Sequence, residues 1–405
     1  MKIIKRNLYL KKIEPFIGKP IIKILTGMRR VGKSEMLKQI SSQISKVHPD
    51  KNIIYINKEL RKFNFIKDDE DLNAHIDELK GDADSVVLID EIQEIKNWER
   101  SVNSFLAEGM DIYITGSNAH LLSSDITTLI SGRFVEFKIF ALSLKEFIEL
   151  GSFEDKKIEE VFRKYIKFGG LPGLFHLDFQ EAATYQFLDA IYQTILLKDI
   201  IRRYNIRNVS LLEDVTNFVF DNIGSIFNAS NVVKYLKSRN IKTSVPTILS
   251  HIHYLNDVFI AHKVRQFDLK GKEYLDTNVK FFVGDLGLRH AILGFKDSDI
   301  SGILENVVYL ELCRNDYRVS IGRIGNKEVD FIAEKENERI YIQVAYILNS
   351  PETVEREFSV LELIRDNHPK FVISLDPLQI TRESGVKHIN LYDFLLKGLN
   401  NEKGN

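Results

Sequence analysis

Residues 27–34 of this 405-residue chain read Gly27-Met28-Arg29-Arg30-Val31-Gly32-Lys33-Ser34, a complete G-x-x-x-x-G-K-[ST] pattern. Its flanks make it constraining. Residues 21–26 (IIKILT) are apolar and β-branched, which suits a buried strand, and residues 34–41 place Met36, Leu37 and Ile40 on one helical face. A strand, a glycine-bearing turn and a helix N-terminus together make a nest of backbone N–H groups aimed at an anion. The pattern predicts that the loop and first helical turn, through Glu35, wrap phosphates. Lys33 then reaches the β- and γ-phosphates, and Ser34 places its hydroxyl on Mg²⁺. The implied ligand is a nucleoside triphosphate.

A second half-site follows. Residues 85–91 read SVVLIDE, an apolar run that suits a parallel strand buried on both faces, with carboxylates emerging at its carboxyl edge. Asp90 is the expected Mg²⁺ ligand. Glu91 is expected to orient and deprotonate an attacking water, because phosphoryl transfer depends on positioning and electrostatics. A third apolar strand, 111–115 (DIYIT), ends in Gly116-Ser117-Asn118. Ser117 and Asn118 are candidates to contact the γ-phosphate or the water; an ordinary turn is the competing reading. Arg133, just before the strand 134–137, could neutralise transition-state charge in cis or from a neighbouring subunit, or be a solvated loop arginine.

Taken in order, GMRRVGKS, VVLIDEIQ, ITGSNA and SGRF resemble the bacterial and archaeal AAA-type ATPases that carry a C-terminal domain of unknown function. The resemblance continues through YIKFGGLPGL (165–174), LLKDIIRRYNIRN (196–208), DLGLR (285–289), ENVVYLEL (305–312) and EVDFIA (328–333). It implies ATP, rather than GTP, with Mg²⁺. In such ATPases a Gly-x-Pro in the helical lid lies beside the adenine, which nominates Gly170 and Pro172; a helix break is the plainer reading.

Composition narrows the class. Charged residues make up 28% of the chain and the formal net charge is −1, so no global polyanion signal exists. The single cysteine, Cys313, excludes an intramolecular disulfide framework and suits a reducing compartment. No apolar stretch approaches the ~18–20 residues needed to span a bilayer, and the first residues lack a secretory pattern. A cytoplasmic protein without a membrane partner is expected.

The expected fold is α/β in four regions. Residues 1–145 form a P-loop NTPase core of AAA+ type with a doubly wound parallel sheet, and 146–207 a helical lid. Residues 208–275 form a winged helix-turn-helix, with helices around 211–219, 232–236 and 245–256 and a hairpin from 259–266 and 272–275. Over 198–272 there are twelve basic and six acidic side chains, leaving that segment +6 and the rest of the chain −7. This segregation points to DNA, with Lys237, Arg239, Lys242, Thr243, Ser244 and Thr247 on or before the presumed recognition helix and Lys263 and Arg265 on the wing. Winged helices also dock proteins, so a protein partner or a homo-oligomer stays open.

Residues 276–405 resemble the restriction-endonuclease-like fold, whose nucleases use a helix Glu, a strand Asp and then Glu-x-Lys. Glu305 and Asp330 fill the first two positions, but Gln343 and Ala345 stand at the last two. Gln343 can still offer a carbonyl to a degenerate metal site. Ala345 offers no charge, and Lys327 is a conceivable substitute from the preceding strand. A catalytically impaired nuclease fold is the expectation. The functional expectation is an ATPase driving or gating a conformational switch, against two alternatives: an ATP-dependent nuclease and a DNA-binding regulator that uses ATP only as a ligand.

Overall fold

The computed structural model describes residues 3–81, 84–122, 129–130, 132–377, 382 and 384–399. The chain divides into two compact units, 1–141 with 257–259 and 142–256 with 260–405.

The first unit is built on a five-stranded parallel sheet of order β2-β3-β4-β1-β5. Its strands are β1 (Ile22–Thr26), β2 (Asn52–Asn57), β3 (Ser85–Asp90), β4 (Asp111–Thr115) and β5 (Phe134–Lys138). β1, β3 and β4 are buried along their whole length, which is why they read as mostly apolar runs instead of alternating ones. The helix Trp98–Ala107 turns Trp98, Val102, Phe105 and Leu106 into a core shared with Ile24, Ile56, Ile89 and Ile114. The acidic run at 68–71 starts a helix. Asp68 caps Asp69–Lys80 by accepting the Asp71 N–H, and three acidic residues fill the first turn, where the helix dipole favours them.

Near the amino edge of this sheet lies a buried ion pair between Lys23 and Asp111, 0% and 3% exposed. Lys23 also donates to the carbonyls of Lys19 (3.0 Å) and Ile21 (2.8 Å), and Asp111 accepts from Gly18 N–H (2.8 Å) and Tyr113 Oη (3.1 Å). Burial pushes the Lys23 ammonium down while Asp111 holds it up.

The second unit carries a seven-stranded mixed sheet of order β12-β11-β10-β9-β8-β6-β7. The strands are β6 (Ala261–Asp268), β7 (Glu273–Val283), β8 (Arg318–Ile324), β9 (Lys327–Lys335), β10 (Glu338–Val344), β11 (Lys370–Ser374) and β12 (Lys387–Asn390). The expected hairpin exists, closed by Asp268 accepting the N–H groups of Lys270 and Gly271. It is not a free wing. β6 pairs in parallel with β8, and the boundary drawn between 275 and 276 falls inside β7. The physical reason is the tail of β7, where Val279, Phe281, Phe282 and Val283 are all buried and hold the strand in the large sheet. Among the described residues no helix is long and apolar enough to cross a membrane.

Replacing Asp111 with Ala strands an ammonium in the core, and losing one partner of a buried pair costs about 3–5 kcal/mol. Chemical denaturation should report a loss of that size for Asp111→Ala.

Candidate nucleotide site

β1 feeds directly into the phosphate loop. Gly27 has φ +140°, and a Cβ there would lie 2.2 Å from the Ile139 carbonyl oxygen, so glycine is required by both conformation and space. Gly32, at φ 99°, caps the helix Lys33–Val47, whose first internal bond is Met36 N–H to the Gly32 carbonyl (2.9 Å). The N–H groups of Lys33, Ser34 and Glu35 therefore lie where no carbonyl of their own helix can take them. Lys33 Nζ folds over the loop to the carbonyls of Gly27 (2.9 Å) and Met28 (3.1 Å). Met28 and Val31 are buried, and Arg29 lies 3.8 Å from Glu59. Arg30 adopts a positive φ of 69°.

Behind the loop, the tips of β2, β3 and β4 converge on one carboxylate. Asp90 is fully buried; its Oδ1 accepts Thr115 Oγ1 at 2.6 Å and its Oδ2 accepts Asn57 Nδ2 at 3.0 Å. Ser34 also hydrogen-bonds this carboxylate. Burial pushes its pKa up, and the hydroxyls of Thr115 and Ser34 oppose that shift. Thr115 Oγ1 in turn accepts the Glu91 N–H at 3.0 Å, so one hydroxyl ties both acidic residues together. Glu91 sits in the left-handed region (φ 57°), a strained conformation for a residue with a Cβ. Its carboxylate is held by Gln93 Nε2 and by Ser117 Oγ at 3.4 Å. Ser117 and Asn118 are both buried, and Ser117 thus touches Glu91. The oxygen donors of Ser34 and Asp90 beside Lys33 fit Mg²⁺, a hard cation that takes carboxylate and hydroxyl oxygen.

The sequence reading missed Thr115, Asn57 and Gln93. It also missed Arg6, 4% exposed, which donates to the carbonyls of Val31 (3.1 Å) and Ala141 (3.3 Å) and lies over the Tyr9 ring (4.6 Å). Arg6 braces the phosphate loop from the start of the chain. Strand-tip polar residues were the available signal for Thr115 and Asn57; Arg6 had none.

Arg133 is a correction. It is exposed and directly precedes β5, whose Phe134 pairs with Ile22 and Lys138 with Thr26. Arg133 therefore stands at the amino edge of the sheet, more than four strand steps, or roughly 13 Å, from the edge where the loop begins. That separation excludes the cis role.

In the second unit, Gly169 (φ +80°) and Gly170 pack against Asp285. A Cβ on Gly169 would be 2.2 Å from Asp285 Oδ1, and Gly170 N–H donates to Asp285 Oδ2 at 2.8 Å. Asp285 also caps Leu286–Leu293, and burial pushes its pKa up to about 6 against those N–H groups. Pro172 starts the short helix Pro172–His176. These glycines thus have a packing reason of their own, so the adenine role rests on the resemblance alone.

The helices Ala229–Ser238 and Val245–Asp257 bury Val232 and Leu236, and Ile248, Ile252 and Leu255, respectively. Lys237, Arg239, Lys242, Ser244, Lys263 and Arg265 are exposed; Thr243 and Thr247 are half-buried. Ser244 Oγ meets Thr247 Oγ1 at 2.8 Å and accepts its N–H at 3.4 Å, so both belong to the helix cap. Arg239 lies 3.9 Å from Asp214, and Arg265 lies over Tyr274 at 4.3 Å.

Glu305 and Asp330 do come together, but around a cation from the chain itself. Lys280 Nζ, on β7, is 3.1 Å from Glu305, 2.5 Å from Glu328 and 4.0 Å from Asp330. Gln343 Oε1 accepts the Asp330 N–H at 3.3 Å. Lys327 points elsewhere, donating to Ser359 Oγ at 3.1 Å. Ala345 is buried in an apolar cluster with Leu348, Phe358 and Val372. At the second site expected at Glu305, Asp330 and Gln343 the structure thus places Lys280 beside the two carboxylates, and among the described residues no group of three His, Cys, Asp or Glu is arranged to hold a metal.

Residues 19–148 match the AAA domain family, and residues 159–299 match a domain of unknown function, DUF8612. An uncharacterized protein from Haemophilus influenzae is 35% identical over 98% of this chain and 99% of its own length. An uncharacterized protein from Methanocaldococcus jannaschii is 31% identical over 89% of this chain and 81% of its own. Among solved structures, AMPPCP-bound DnaA from Aquifex aeolicus overlaps 63% of this chain and 89% of its own, at 12% identity and a TM-score of 0.31. The S. cerevisiae Hsp104–casein complex overlaps 68% and 58%, at 12% identity and a TM-score of 0.33.

Thr115→Val keeps the shape of the side chain and removes both of its hydrogen bonds. Losing a residue that orients a metal ligand, the role Asp90 fits, typically costs 10–100-fold in activity, so ATP turnover should drop by about that factor while thermal denaturation shows the fold retained.

Proposed function

The chain belongs to the family that includes these Haemophilus and Methanocaldococcus proteins, with an AAA domain toward its amino end, and from that premise we propose a Mg²⁺-dependent ATPase whose cycle drives a conformational switch. Similarity to the AAA domain supports ATP binding and hydrolysis. The observation that carries the reading is the convergence of Ser34, Asp90, Thr115 and Glu91 behind the phosphate loop.

In this reading the loop N–H groups and Lys33 bind the triphosphate. Ser34 and Asp90 hold Mg²⁺, which neutralises charge on the phosphates when bound. Glu91, fixed by Gln93 and Ser117, orients a water and accepts its proton. Asn118, on the same tip, is a further candidate for the γ-phosphate. Arg133, exposed at the opposite edge, serves the nucleotide of a neighbouring copy in a homo-oligomer. The C-terminal part is a binding or assembly module with the nuclease chemistry lost.

The proposed partner of the basic segment is DNA, supported by the exposed Lys237, Arg239 and Lys242 and by the absence of any Asp or Glu from 228 to 256. Each phosphate neutralised contributes roughly 0.9 to the slope of log affinity against log salt.

Lys33→Ala should abolish nucleotide binding by calorimetry. Glu91→Gln should bind ATP normally and turn it over about 10²–10⁴-fold more slowly, the usual worth of a general base; turnover equal to wild type would remove Glu91 from this role. Reversing the charge of Lys237, Arg239 and Lys242 should flatten the salt dependence of duplex DNA affinity. An unchanged slope would place the DNA elsewhere.

A further inference from the structure

We infer that Lys280 is a tethered cation standing where a nuclease of this fold type would hold its metal, so that the C-terminal sheet takes no divalent ion at Glu305 and Asp330. This rests on the reading above of an inactive nuclease fold and supplies a reason that Ala345 alone does not.

The geometry is specific. The ammonium is 3% exposed and meets carboxylates from two other elements: Glu305 on the helix Ile300–Arg314, and Glu328 and Asp330 on β9. A lysine offers three N–H donors and no acceptor. Two of its contacts, at 3.1 and 2.5 Å, are within hydrogen-bond reach, and Asp330 supplies charge at 4.0 Å. Taking a lysine out of water favours its neutral form, but Glu305, Asp330 and Glu328 together outweigh that and hold its pKa above the ordinary range.

The oxygens around the ammonium are partly tied to the backbone, and the rest face Lys280: Glu305 Oε2 accepts from it and Asp330 Oδ1 lies 4.0 Å away. Asp330 Oδ2 accepts the Val344 N–H at 2.8 Å, and Gln343 Oε1 accepts the Asp330 N–H. Glu357, whose charge also acts on Glu305, is paired with Arg356 at 2.8 Å.

Access is closed on one side as well. Gly224 N–H donates to the Phe281 carbonyl (3.2 Å) and Phe227 N–H to the Val279 carbonyl (2.7 Å), so residues 224–227 run along β7 on either side of Lys280. Gly224 (φ +70°) is so near that a Cβ there would be 3.1 Å from Glu305 Oε2. A free cation reaching these carboxylates would have to displace an ammonium that the chain holds in place.

The test is a Mn²⁺ titration read by electron paramagnetic resonance on the full-length, nucleotide-free protein. Wild type and Asp330→Asn should bind Mn²⁺ identically. Lys280→Met, which keeps length but removes charge, should melt roughly 5–15 °C lower, gain one Mn²⁺ per chain and recover stability as Mn²⁺ is added. Lys280→Met with Asp330→Asn should lose that ion. Mn²⁺ bound by wild type and lost in Asp330→Asn would overturn the inference, and this comparison decides the matter even if Lys280→Met does not fold. A folded Lys280→Met with neither a lower melting temperature nor a new ion would also overturn it. Wild-type cleavage of duplex DNA in Mg²⁺ that Asp330→Asn abolishes would overturn the inactive-nuclease reading too, whereas Mn²⁺ binding without cleavage overturns the tethered cation alone.

Discussion

The hydroxyl of Thr115 is the joint on which the nucleotide site depends. It donates to Asp90 and accepts the backbone N–H of Glu91, fixing two adjacent acidic residues with different duties from one atom. Asp90 is buried and held by Thr115, Asn57 and Ser34. Glu91 is turned away by its left-handed backbone and steadied through its side chain. Without a shared anchor, two neighbouring carboxylates at one strand tip would repel each other and wander. The parallel sheet makes this possible by bringing three carboxyl-terminal tips to one edge.

The second unit solves the opposite electrostatic problem. Glu305 and Asp330 are gathered where little water reaches, with the part-exposed Glu328 beside them, and the chain supplies its own counterion from β7. Burying unpaired carboxylates is costly, and a lysine covalently fixed among them offsets that at every stage of a functional cycle. Acidic residues in one unit are held by neutral hydroxyl and amide donors, and in the other by a lysine. Sequence order alone does not distinguish the two arrangements.

Legibility followed the range of the interactions. The phosphate loop, β1 and β3 are local patterns, and their flanking apolar runs announce them. Of the roles open to Arg133, the cis one fails on a legible point: a residue that precedes a strand parallel to β1 must lie at the amino edge. The hairpin of β6 and β7 was found, but its membership of a larger sheet was not, because side-chain alternation says nothing of which strand lies alongside. Lys280 carried no local signal; its carboxylate partners lie 25 to 50 positions away. Thr115 reads as an ordinary β-former. Only the register of β3 against β4 shows that its hydroxyl faces Asp90.

The central claim is that this edge splits ATP with the help of a metal held by Ser34 and Asp90. Phosphate release by the full-length protein in ATP, measured with Mg²⁺ and again after chelation, addresses it most directly. Steady release that stops on chelation and is absent in an Asp90→Asn variant is the expected result. Release that persists without a divalent ion, or that Asp90→Asn leaves untouched, would contradict it.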